Sequence, residues 1–350
     1  MKIDAALYKL IPTHRFGISR STSSEYTSIL LRIEHNGITG FGEAFPSNRY
    51  EKSAEHNLEI FKDAPFQSLE PLFAHFQPKA MQRWTEESFD NIDSLISGFT
   101  SAYYDYFGKK LGISVAELIG YFGENLPRSS FTIGIDEEEV IRQKVKEAEP
   151  YPILKIKVGT ERDEEIMGII RELTDKPVRV DANEGWDKEE ALERIHWLES
   201  QNVEFVEQPI PAGNYDDVRW LQERSPLPLI ADEDCRHVED VSNLMDCYDG
   251  INIKLVKCGG ITPALQMIAT AKSFGKSVML GCMVESSAGI APAAMLGGGV
   301  DYLDLDGNLL LSNDPFSGPK AANGEFDEFS GQGLGVEPVE KIDWETIYSS

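Results

Sequence analysis

An α/β fold with eight parallel strands, preceded by a separate α+β domain, is what this 350-residue sequence predicts. Three observations carry that expectation. Between about residues 130 and 307, short β-branched runs alternate with polar-faced helical stretches, and a new run starts every twenty to thirty residues. The first 120 or so residues lack this alternation. Acidic residues and lysines stand at the downstream tips of the runs, where barrel enzymes place their active groups.

The elements follow in chain order. Residues 28–33 and 38–42 are two apolar runs around Asn36-Gly37, and this predicts a hairpin, because a tight hairpin turn needs positive φ at both central positions. A helical region follows from about Tyr50 to Leu111. The predicted parallel strands are 131–135, 153–158, 178–181, 203–207, 227–231, 251–254, 278–281 and 302–306. Between the third and fourth, residues 187–200 carry Ala191, Ile195, Trp197 and Leu198 as an apolar stripe against Glu189, Glu190, Glu193 and Arg194, which predicts an amphipathic helix. Eight such strands suit a closed barrel, although a doubly wound open sheet has similar spacing. The Gly-rich, acidic tail after Gly307 lacks the repeat and is expected to return to the first domain.

Composition excludes several classes. A net charge of −26 repels nucleic acid and anionic membranes, so neither is expected as a partner. No apolar run is long enough to span a bilayer, and the first residues carry charges and a proline where a signal peptide needs an apolar stretch, which predicts a cytoplasmic protein. The four cysteines form no Cys-x-x-Cys pair and the six histidines are scattered, so a zinc cluster or disulfide framework is not expected. Association into a homo-oligomer is compatible with the sequence but not required by it.

The strand tips hold the chemistry. In order they offer Lys155 and Lys157, Asp181, Glu207, Asp232, Lys254, and Asp304 with Asp306. A single acidic tip is ordinarily a surface charge or helix cap. Three on adjacent strands converge on one rim, and that repulsion is tolerable around a cation; oxygen ligands alone favour a hard ion such as magnesium. Lys157 and Lys254 flank the acidic tips, on strands that face each other across a closed barrel. A lysine base must titrate well below its ordinary value of about 10.4, and nearby positive charge, from Lys155 on the same face or from the ion, lowers it.

Lys155-Ile-Lys157-Val-Gly159, Asp181-Ala-Asn-Glu-Gly-Trp186, Glu207-Gln-Pro209, Ala231-Asp-Glu233, Ile253-Lys-Leu-Val-Lys-Cys-Gly-Gly260 and the early Gly40-Phe-Gly-Glu-Ala44 resemble the enolase superfamily in its muconate-lactonizing subgroup. The resemblance implies a (β/α)7β modified TIM barrel at 121–310, capped by an α+β domain formed from 1–120 and the C-terminal segment 311–350. It implies Mg2+ on Asp181, Glu207 and Asp232, with Lys157 and Lys254 as the acid/base pair and Lys155 supporting the substrate's carboxylate. Asp304-Leu-Asp306 is similar to the motif with which dipeptide epimerases hold a free α-ammonium, and Thr132, Cys282, Met283 and Arg20 would line the rest of a dipeptide site. The implied activity is epimerisation of a small dipeptide, L-alanyl-D/L-glutamate first, in the recycling of peptidoglycan peptides. Side-chain specificity beyond glutamate, a muconate cycloisomerase or o-succinylbenzoate synthase, and a non-catalytic binding protein are the alternatives. In glutamate-specific relatives an arginine stands where Ser21 falls, one place after Arg20, and an Asp follows Asp232-Glu233 where serine is usual.

Overall fold

The computed structural model describes residues 1–327, 329 and 331–350. Its larger body is a parallel sheet of eight strands taken in chain order: Phe131–Ile133, Leu154–Lys157, Val178–Asp181, Val203–Glu207, Leu229–Ala231, Gly250–Ile253, Ser277–Gly281 and Tyr302–Asp304. A parallel bridge between Ser129 and Leu303 closes the ring, reinforced by Ser130 N–H on Leu303 O (3.1 Å) and Leu305 N–H on Ser129 Oγ (2.8 Å). The sheet is therefore a barrel and not an open doubly wound sheet. Helices on its outside bury their apolar stripes against it. In Lys188–Glu199, Ala191, Ile195 and Leu198 are buried, Trp197 is half-buried, and Asp187 caps the helix through Glu190 N–H (2.8 Å).

Four predicted strands are shorter than expected: 153–158 and 227–231 are trimmed to Leu154–Lys157 and Leu229–Ala231, and the first and last strands end early. Residues 131–135 leave the barrel after Ile133, because Ile135 N–H turns to pair with Gly17 O of the N-terminal region (2.9 Å). Residues 302–306 leave it after Asp304, so Asp306 stands on irregular chain beyond the strand.

The second body is a four-stranded antiparallel sheet in the order Glu345–Ser349, Lys2–Leu10, Tyr26–His35, Ile38–Ala44, packed on the helices Ala54–Lys62 and Asp93–Leu111, with Pro78–Ser88 against the latter. Asn36 and Gly37 make the hairpin turn with φ of 51° and 76°. The last strand of the chain, Glu345–Ser349, pairs antiparallel with the first, Lys2–Leu10. Helix Asp93–Leu111 lies directly on strand Ile38–Ala44. A Cβ at Gly40 would come within 2.1 Å of Ala102 O, and one at Gly42 within 2.0 Å of Gly98 O, so the Gly-x-Gly of this strand permits the contact. That helix is buried on nearly every side, by Phe99, Tyr103, Tyr106 and their neighbours.

Among the described residues, no helix is long and apolar enough to cross a membrane.

Candidate active site

Strand register builds the site floor. Lys157 stands opposite Asp181, and Asp181 opposite Glu207. Asp232 and Lys254 follow the last residues of the fifth and sixth strands. Carboxylate oxygens of Asp181, Glu207 and Asp232 lie within 4.8 Å of one another, and all three residues are buried. Lys157 and Lys254 come from strands four places apart in an eight-membered ring, so they rise from opposite sides of this cluster.

Each carboxylate is oriented. Asp181 accepts Asn183 N–H on Oδ1 (2.9 Å) and the Lys157 ammonium on Oδ2 (2.6 Å). Glu207 accepts Asn252 Nδ2 on Oε1 (2.6 Å). Its Oε2 lies 2.6 Å from Lys155 Nζ, a buried ion pair. Asp232 takes Lys254 on Oδ2 (2.9 Å) and Lys257 on Oδ1 (2.6 Å). Three buried carboxylates whose oxygens converge on one point, an all-oxygen donor set, fit a hard divalent cation.

The electrostatics follow from burial and neighbours. Burial, with repulsion from Asp181 and Asp232, raises the Glu207 carboxyl to about 7. Burial also pushes Asp232 upward, but Lys254 and Lys257 outweigh it and hold that carboxyl well below the usual range. Asp181 is lowered in the same way, with Lys157 and Lys155 overcoming burial. For Lys155 and Lys254, burial favours the neutral amine, yet the carboxylates win and raise both ammonium groups above their ordinary value.

Above the floor lies a cavity of about 780 Å3, covered by Phe16, Arg20, Tyr26 and Tyr50 and lined from the barrel by Thr132, Lys157, Lys254, Cys282, Met283, Asp304 and Asp306. Lys155, Asp181 and Glu207 sit deeper, each 0% exposed. Asp304 binds Lys155 through Oδ2 (2.6 Å) and Ser130 Oγ–H through Oδ1 (2.7 Å). Asp306 accepts Thr132 N–H (2.6 Å), and burial beside Asp304 lifts its carboxyl to about 7. The Cys282 thiol donates to Asp304 O (3.2 Å), and burial raises it well above the ordinary thiol value, so it stays a neutral wall residue.

Arg20 reaches the cavity rim but is heavily engaged: Nη2 donates to Glu233 Oε1 (2.9 Å), and Nη1 to Asn183 O (2.9 Å) and Glu184 Oε2 (3.3 Å). Asp234 points away from the cation cluster. It ties Gln208 (2.9 Å), Tyr248 (2.8 Å) and Gly213 N–H (2.7 Å) together, bracing the loops after the fourth and fifth strands. Glu285 accepts Met283 N–H (2.8 Å) and holds that turn. Sequence reasoning missed Lys257, Asn252 and Ser130 as partners of the acidic tips. Only Lys257 had a signal, its spacing of three from Lys254 across a helical turn.

Residues 2–120 match the family model for the mandelate racemase / muconate lactonizing enzyme N-terminal domain, and residues 138–342 match the enolase C-terminal domain-like model. The chain belongs to the enolase superfamily. Within that superfamily it is 37% identical over 338 residues to an L-Ala-D/L-Glu epimerase of Bacteroides thetaiotaomicron, covering 96% of this chain and 88% of the relative. It is 40% identical over 328 residues to an L-Ala-D/L-amino acid epimerase of Pedosphaera parvula, covering 90% and 92%. A dipeptide epimerase from Enterococcus faecalis, solved with Mg and L-Leu-L-Tyr, superimposes with a TM-score of 0.85 at 28% identity, covering 96% of this chain and 98% of that one. With epimerases among its relatives at 37% and 40% identity, the protein is an enzyme of the isomerase class.

Proposed function

We propose that the protein is a dipeptide epimerase that inverts the α-carbon of the C-terminal residue by 1,1-proton transfer, with L-alanyl-D/L-glutamate as its substrate. The observation that carries this reading is the pair Lys157 and Lys254, rising from opposite sides of a buried acidic cluster, with Asp304 and Asp306 beside them in one cavity.

Asp181, Glu207 and Asp232 would hold a divalent cation, Mg2+ by the chemistry of an all-oxygen donor set. Such an ion supplies fixed positive charge beside the substrate's carboxylate and draws the neighbouring lysine pKa values down toward neutrality. Lys155, buried next to Glu207 and Asp304, adds a second fixed positive charge on that side. Asp304 and Asp306 receive the dipeptide's α-ammonium, and Thr132, Cys282 and Met283 shape the wall around it. One lysine, as the free amine, takes the α-proton, and the C–H electron pair moves into the adjacent carboxylate. The other lysine, as the ammonium, delivers a proton to the opposite face. Each turnover leaves the pair in exchanged protonation states, ready for the opposite epimer.

Arg20 supports a second reading of side-chain preference. Its donors are engaged by Glu233, Glu184 and a carbonyl, so a distal carboxylate must displace a partner, whereas an uncharged side chain need not. We further propose that residues 1–120 with 311–350 act as the cap over a barrel of 121–310, and that the enzyme works in the cytoplasm on peptides recycled from the cell wall.

The test is incubation with Mg2+ in D2O alongside dipeptides having an acidic or an apolar C-terminal residue. Deuterium at the C-terminal α-carbon, with formation of the other epimer, is expected. Its absence across the whole set defeats the proposal.

A further inference from the structure

Lys257 carries a feature that the acid/base chemistry leaves unused. It is 2% exposed, and its ammonium donates to Asp232 Oδ1 (2.6 Å), Asp232 O (2.5 Å) and Cys235 O (3.0 Å). These three bonds use all three of its donors. Asp232 Oδ2 is left facing Lys254 and the cavity. A mere counter-charge would need no bonds to the main chain of two residues. The lysine instead fixes both the backbone and the carboxylate rotation of Asp232.

The backbone that bears Lys257 is itself seated against the cap. The short helix Leu255–Cys258 ends at Gly259 and Gly260, with φ of 83° and 103°. A Cβ at Gly260 would fall 2.6 Å from Thr100 Oγ1 and 3.2 Å from Ser97 Cα, so helix Asp93–Leu111 lies in direct contact with this turn. From helix Pro78–Ser88, Gln82 Nε2 donates to Gly259 O (3.3 Å). A continuous path of contacts runs from the cap helices through the Gly-Gly turn to Lys257 and on to Asp232.

We infer that Lys257 is a positioning residue, which locks Asp232 so that a single oxygen is presented to the cation and makes that lock depend on how the cap sits on the Gly259-Gly260 turn. The inference rests on Asp232 being a cation ligand, as proposed above. Loss of a group that orients a ligand typically weakens metal binding ten- to a hundredfold, whereas loss of a positive charge that only neighbours the ion tightens it or leaves it unchanged.

Isothermal titration of the purified, chelator-stripped full chain with MgCl2 separates these. Lys257→Met is expected to raise the Kd for Mg2+ about ten- to a hundredfold. Gln82→Met, remote from the ion, is expected to raise it a few-fold, and Lys272→Met, which removes an outer lysine paired with Asp301, to leave it unchanged. An unchanged or lower Kd in Lys257→Met overturns the inference. If that variant does not fold, Gln82→Met decides alone, and an unchanged Kd there overturns it. A wild-type chain that binds no Mg2+ would instead sink the reading of Asp232 as a ligand, an outcome distinct from a wild type that binds and a Lys257→Met that binds equally well.

Discussion

The ammonium of Lys155 lies 2.6 Å from Asp304 Oδ2, an ion pair that joins the second barrel strand to the eighth beneath the cavity. In the proposed function the two residues serve opposite ends of the dipeptide backbone, Lys155 its carboxylate and Asp304 its ammonium. Their pairing means that one fixed charge orients the other, and that the two ends of the binding site are not independent.

Asp304→Asn removes one member of that pair and a carboxylate from the ammonium pocket. Charged hydrogen bonds of this kind are worth about 1.5 to 3 kcal/mol, so kcat/KM for free dipeptides is expected to fall about ten- to a hundredfold. N-acetylated dipeptides, which lack the ammonium, should lose far less. Steady-state kinetics on matched substrate pairs check this, and equal losses would remove Asp304 from ammonium recognition.

The N-terminal antiparallel body meets the barrel through two buried acids. Glu43 accepts Ser28 Oγ–H (2.7 Å) and Ser286 N–H (3.0 Å), and an added Cβ on Gly289 would touch both the Glu43 and Glu285 carboxylates. Burial, then mutual repulsion, lifts Glu43 to about 8, and burial lifts Glu285 to about 7. Because both folded values are raised, their stabilising contribution is complete at pH below about 4.5 and is lost as pH rises through 7 and 8. From these groups Tm is expected to decline between about pH 4.5 and 8, and Glu285→Gln to flatten the decline. Thermal melts across that range measure it, and an unchanged slope in the variant would contradict the coupling.

Gly42→Ala tests the seat of helix Asp93–Leu111. Its methyl group has no room beside Gly98 O. Overpacking of this sort costs about 1 to 3 kcal/mol, expected as a lower denaturation midpoint. Ala at exposed Gly120 is a poor control, since φ there is 85°; Ala at Gly168, where nothing crowds an added Cβ, should leave the midpoint unchanged or raised.

Removal of divalent ions with a chelator is expected to abolish α-proton exchange. Mg2+ at about a hundred times its Kd should add about 2.7 kcal/mol of stability, and Asp181→Asn should eliminate both effects. Differential scanning calorimetry with and without Mg2+ gives the stability half of the test.

Much of this was legible in the chain. The alternation of runs and stripes marked all eight strands, and period-two spacing placed Lys155 and Lys157 on one face because adjacent side chains in a strand alternate. Asn36-Gly37 announced its hairpin. What could not be read were contacts made by closure. Lys155 and Asp304 are 149 positions apart and meet only because the ring closes between the first and eighth strands. The departure of the first strand at Ile133 depends on Gly17, in the N-terminal region. Asp234 looked like a deviation in a ligand motif, and only its bonds to Gln208, Tyr248 and Gly213 reveal a brace. Helix Asp93–Leu111 shows no one-sided stripe because its neighbours bury it almost all round.

The most direct test of two lysines working from opposite faces is α-proton exchange with D2O, followed separately from each pure epimer in Lys157→Ala and Lys254→Ala. Each variant is expected to lose exchange from one epimer by at least about 10² to 10⁴, to keep it from the other, and to retain Mg2+ binding, with the two variants affecting opposite epimers. Undiminished exchange from both epimers in either variant, or loss from the same epimer in both, would contradict the account.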